Sequence, residues 1–65
     1  MHPSAQQLLA YFEHAHLPTH LAAVSQPFCE LAHKVAGTLD GPEATVCLRK
    51  LLEAKDCAVR AALAK

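Results

Sequence analysis

The sequence predicts an all-α fold: a short N-terminal helix followed by an antiparallel two-helix hairpin, assembled as a homo-oligomer. Three observations predict it. Apolar residues recur at spacings of three and four, the mark of a helical stripe. Leu17-Pro18 and Asp40-Gly41-Pro42 punctuate the chain into three segments. The whole is only 65 residues with balanced charge and 52% apolar residues, so residues 1–65 form one domain.

The first helix is predicted over residues 4–14. Ser4-Ala5-Gln6-Gln7 has the form of a capping box, with Ser4 accepting from the Gln7 amide. Leu8, Leu9 and Phe12 supply its apolar stripe. It should stop near His14, because the residue before a proline, here Leu17, avoids the α region.

The second helix is predicted over residues 18–39. Pro18 suits a first turn, where its missing N–H costs nothing. Leu21, Val24, Phe28, Leu31, Val35 and Leu39 form a single seam. Pro27 lies inside the helix and off that seam. An interior proline costs roughly 3 kcal/mol in a regular helix, which predicts a kink near Ala23 to Pro27, or a break there, with Pro27 facing water.

The third helix is predicted over residues 41–64. Asp40 reads as its N-cap, and Glu43 three residues on completes a capping box. Thr45, Arg49, Glu53, Asp56 and Arg60 share one face. Arg49–Glu53 and Asp56–Arg60 are i,i+4 pairs of opposite sign, each worth about 0.2–0.5 kcal/mol. This face reads as solvated or as a ligand surface. The opposite arc holds Ala44, Cys47, Leu48, Leu51, Leu52, Ala54, Ala58, Val59 and Ala62. One partner helix covers a stripe of about 100°, and this arc is wider. The short turn makes helices two and three antiparallel, so a second neighbour is expected from another chain. Ala54, Cys57, Ala58, Ala61 and Ala62 would let it approach closely. Lys55 sits within the arc and must either snorkel to its edge or meet an acid or an anion across an interface.

Size points to assembly as well. A chain this short buries roughly 60% of the surface it exposes when unfolded. Ordering each residue costs about 1.5 kcal/mol, so burial and entropy nearly cancel for a lone copy. Only Tyr11, Phe12 and Phe28 are aromatic.

Composition excludes several function classes. Six basic residues against six acidic ones are not the uncompensated basic row that duplex DNA requires, so no DNA partner is expected. The opening Met1-His2-Pro3-Ser4 is polar and unlike a signal peptide. No run reaches the roughly 20 apolar residues of a membrane span. A cytoplasmic protein without a membrane partner is expected. Cys29, Cys47 and Cys57 read as reduced packing residues. No CxxC pair offers a zinc site. His14, His16 and His20 gather around the Leu17-Pro18 turn, but their spacing matches no ligand pattern, so they read as polar turn residues and no metal site is predicted. Ser4 and Ser25 lack an adjacent base, and there is no Gly-rich phosphate loop. No catalytic residue and no cofactor is predicted.

What remains is binding. Lys34, Arg49, Lys50, Lys55 and Arg60 supply cations. Tyr11, Phe12 and His20 are suited to stacking on a base, worth about 1–3 kcal/mol each. The start of the third helix, Gly41 to Thr45, offers amides and a positive dipole end to phosphate. The candidate ligand-binding residues are Tyr11, Phe12, His20, Thr45, Arg49 and Lys50.

Several stretches carry a family resemblance. They are Tyr11-Phe12-Glu13-His14, Glu30-Leu31-Ala32, Leu39-Asp40-Gly41-Pro42-Glu43, and above all Thr45-Val46-Cys47-Leu48-Arg49-Lys50-Leu51-Leu52-Glu53-Ala54 with the Ala-rich end Ala58 to Ala64. From about Phe12 to Lys65 the chain resembles the phage anti-CBASS cyclic-nucleotide sponges, whose hairpin domain also occurs in a phage anti-Thoeris sponge. The resemblance implies a hexamer that sequesters cyclic di- and trinucleotide immune signals between protomers without cleaving them, in the host cytoplasm. By position, Tyr11 or Phe12 matches the family's N-terminal aromatic, Thr45 its hydroxyl residue early in the last helix, and Arg49 a polar residue one turn later. The chain departs from the family where a Trp-Ala-Asn stretch reads Cys57-Ala58-Val59, and where an Arg early in the second helix reads Ser25 or Gln26. The residues alone also fit a second reading, a structural or adaptor oligomer that binds a protein through its apolar helix faces.

Overall fold

The computed structural model describes residues 3–64, with side chains from residue 6 onward. Among these residues all regular structure is helical: α1 (Pro3–Ala10), α2 (Thr19–Thr38) and α3 (Pro42–Leu63). The two long helices start and end within a residue or two of expectation. Pro18 is the residue before α2 rather than its first turn; its carbonyl accepts the amides of Leu21 and Ala22 at 2.9 and 2.8 Å. At the far end, the Leu39 amide donates to Val35 O and the Thr38 hydroxyl to Lys34 O. Helix α2 runs through Pro27 without a break, and Pro27 faces solvent. The capping box of Ser4 falls on a side chain outside the described residues.

The turn into α3 departs from the expected capping box. Gly41 is the N-cap, with φ +93° and ψ −179°, and no side chain caps the helix. That backbone region is essentially reserved for glycine. It places Pro42 at the first helical position, where a proline costs no hydrogen bond. Asp40 is then one residue too early to cap, and its carboxylate accepts the Gly41 amide at 2.9 Å instead. Glu43 lies in the first turn, where its charge suits the helix dipole.

Helix α1 stops four residues short of expectation. The amides of Tyr11, Phe12 and Glu13 reach back three residues, to Leu8, Leu9 and Ala10, instead of four. This tightening ends the helix and turns Phe12 into the interior. Phe12 and Ala32 are fully buried and Leu48 nearly so; the three meet as the core. Leu8, Leu9, Phe28, Cys29, Val35, Ala36, Leu51 and Leu52 pack around them. Helix α1 therefore lies against both long helices. The wide arc of α3 finds a second neighbour within its own chain, where another chain was expected.

The buried face of α2 is rotated from the predicted seam by roughly 60° at 100° per residue. Leu21, Ser25 and Ala32 are the buried residues of α2, whereas Leu31 and Leu39 are 47% and 57% exposed. Close helix approach selects small residues on the contact line, and a seam read from large side chains misses them. Ser25 illustrates the cost: its hydroxyl is fully buried and has no hydrogen-bond partner among the described residues. No helix among the described residues is long and apolar enough to cross a membrane.

Candidate functional site

The six candidate ligand-binding residues separate into one core residue and five at or near the surface. Phe12 is fully buried, so it cannot stack on a ligand; it is the packing hub of the chain. That is a correction to its predicted role, and its cause is the tight turn after Ala10. Tyr11, its neighbour, is 63% exposed and keeps its aromatic face available. His20 is exposed in the first turn of α2, Thr45 is half-buried, and Arg49 and Lys50 are exposed on α3.

One chain does not gather them. Helices α2 and α3 are antiparallel, with Ala32 and Leu48 meeting in the core. His20 is then level with Arg60, some fifteen residues from Thr45, which at 1.5 Å per residue is on the order of 20 Å. The ion pairs on α3 also differ from expectation. Glu53 pairs with Lys50 at 3.6 Å, one turn away, rather than with Arg49. Both side chains are more than 60% exposed, so the pair adds little stability. Asp56 pairs with Lys55 at 3.0 Å rather than with Arg60, and the Arg60 guanidinium donates to Cys57 Sγ at 3.5 Å. The start of α3, offered to phosphate by the sequence, is already furnished with acid: Asp40 holds the Gly41 amide, Pro42 has no N–H, and Glu43 follows.

Lys55 keeps its stem in the arc and carries its ammonium to oxygens of its own chain. Its side chain is 12% exposed, and its ammonium donates to the backbone carbonyl of Tyr11 at 2.8 Å. The lysine's place in an apolar arc was the signal in the sequence. Its partner, 44 residues earlier, was not visible there.

The connector between α1 and α2 folds over α2 and opens a pocket of about 280 Å³ lined by Glu13, His14, Ala15, His16 and Cys29. His14 Nδ1 is buried there without a partner among the described residues. Burial pushes the Cys29 thiol above its ordinary range, and the carboxylates of Glu30 and Glu13 add to the effect. The thiol is thereby held protonated, a poor nucleophile and a poor metal ligand. A carboxylate in the lining makes this pocket unsuited to phosphate. Among the described residues no group of three or more His, Cys, Asp and Glu is arranged to hold a metal ion. Sequence reading grouped His14, His16 and His20 at this turn. It missed Glu13 and Cys29, which arrive only when the connector folds back on α2.

No family model, curated protein or solved structure matches this chain.

Proposed function

We propose that this chain is a non-enzymatic sponge: copies of it assemble, and cyclic di- or trinucleotides are held between them, which withdraws these signals from an anti-phage defence of the host. The observation that supports it best is the scatter of the candidate residues. Tyr11, His20, Arg49 and Lys50 all stay exposed, and the pocket of Glu13, His14, Ala15, His16 and Cys29 includes none of them. An aromatic and several cations at the surface serve a compact dianion only if a second copy brings them together. Helix α3 leaves room for that copy. Cys47, Lys50, Ala54, Cys57, Ala61 and Ala64 follow one another at spacings of three and four, and all are exposed. Small residues on such a line allow close helix approach. The sequence resemblance supplies the hexameric state and the ligand class.

The purified protein is incubated with a panel of cyclic di- and trinucleotides, including cyclic isomers of adenosine-diphosphate-ribose, washed and denatured. Intact nucleotide in the supernatant is expected, with native mass spectrometry giving copy number and bound mass together. An assembly that retains none of the panel would sink the sponge.

One observation favours a second reading, a structural or adaptor oligomer. Leu31, Leu39, Val46 and Leu63 are 46% to 61% exposed, large apolar side chains that a protein partner could cover. These side chains stay accessible in the purified assembly if they await a different protein, and become covered if they join copies of this one.

A further inference from the structure

One residue past the end of α1, the Tyr11 carbonyl accepts no backbone amide among the described residues. In a continuing helix the Tyr11 carbonyl would accept the amide four residues on, but the chain has left the helix by then. Lys55 takes that place from α3, with Nζ 2.8 Å from Tyr11 O and 3.0 Å from the Asp56 carboxylate. A cation there also faces the negative end of the α1 dipole. The stem packs in the arc, leaving the side chain 12% exposed, while the ammonium reaches both oxygens at the arc's edge. On its other side Tyr11 is followed by Phe12, which is fully buried in the core. The Tyr11 backbone is thus clamped twice, by the ammonium on its carbonyl and by its neighbour's ring, while the residue as a whole remains 63% exposed.

We propose that Lys55 is a positioning residue: by holding the Tyr11 carbonyl it fixes the backbone that presents the exposed Tyr11 ring to a planar, base-like ligand. The proposal rests on the reading of Tyr11 as a base-stacking residue. Its physical content is preorganisation. A ring whose backbone is already ordered loses less freedom when a ligand stacks on it.

Tyr11 is the only tyrosine and there is no tryptophan, so intrinsic fluorescence reports on this residue alone. Lys55→Met keeps the apolar stem and removes the donor; Lys55→Arg keeps a cationic donor. In K55M we expect lower Tyr11 anisotropy and about twofold stronger acrylamide quenching, with helical circular dichroism retained. Cyclic-dinucleotide retention should fall about tenfold, the scale of one charge-assisted hydrogen bond. K55R should restore both readouts. Should K55M lose its helical signal, Lys55→Gln takes its place with the same expected changes. Wild-type anisotropy and quenching in the donor-free variant would overturn the anchoring role, as would a K55R no better than K55M. The fluorescence needs no ligand. A Tyr11 loosened by K55M in a protein that retains no nucleotide upholds the anchor and overturns the sponge.

Discussion

The two faces of α3 differ in kind. One carries the large residues Leu48, Leu51 and Leu52, and α1, α2 and Phe12 cover it. The other carries Cys47, Ala54, Cys57 and Ala61, all of them exposed among the described residues. The bare face is built of small residues around Lys50, whereas the covered face carries large aliphatic ones. Side-chain size tells them apart. The covered face gains from bulk, because each buried Leu or Phe contributes about 1.5–3 kcal/mol. The bare face offers little area per residue and gains only where another helix comes very near. A single helix thus finishes a core on one side and leaves small residues bare on the other.

The largest test of this contrast is Phe12→Ala. It removes the hub of the covered face and should cost about 3–5 kcal/mol, comparable with the entire stability of a domain this small. Urea titration followed by circular dichroism should show the cooperative transition lost or moved to very low denaturant. A melt close to wild type would mean that the covered face is not held by Phe12. A smaller effect of opposite sign is expected at Ser25. Its buried, unpartnered hydroxyl is a desolvation cost without return, so Ser25→Ala should stabilise by about 1 kcal/mol, read from the same titration. A destabilised S25A would show that the hydroxyl has a partner after all. The smallest effect on the fold is expected on the bare face: Ala54→Glu should change stability by less than about 0.5 kcal/mol. Its consequence should appear in native mass spectrometry, as a lower copy number. An unchanged assembly in A54E would assign the joining surface to another face.

The contrast also explains what could be read from the sequence. Helices α2 and α3 were legible almost to the residue because their signals are local: a proline before one, a glycine-proline turn before the other, and stripes repeating at helical spacing. The end of α1 was not, since it comes with the tight turn that buries Phe12 and that Lys55 meets from 44 residues away. The buried line of α2 was displaced for a related reason. Periodicity counts large side chains, and two of the three buried residues of α2 are the small Ser25 and Ala32. At the candidate site, the residue types suited to bases and phosphates were identifiable. That Tyr11 faces outward and Phe12 inward was not, because neighbouring residues in a tight turn diverge in a direction that only tertiary packing decides. Of the connector's pocket, the grouping of His14 and His16 was legible and the arrival of Cys29 was not, because the connector doubles back on α2.

The three residues at the centre of the core come from positions 12, 32 and 48, one from each third of the chain. None has another of the three close by in sequence, so no fragment holds a finished centre. A nascent chain can coil its helices early, but the interior closes only once Leu48 has emerged and the stretch around Phe12 has returned to meet it. Folding is therefore expected to be all-or-none, and removing either the first dozen residues or the last helix should leave a chain with loose helices instead of a smaller working unit.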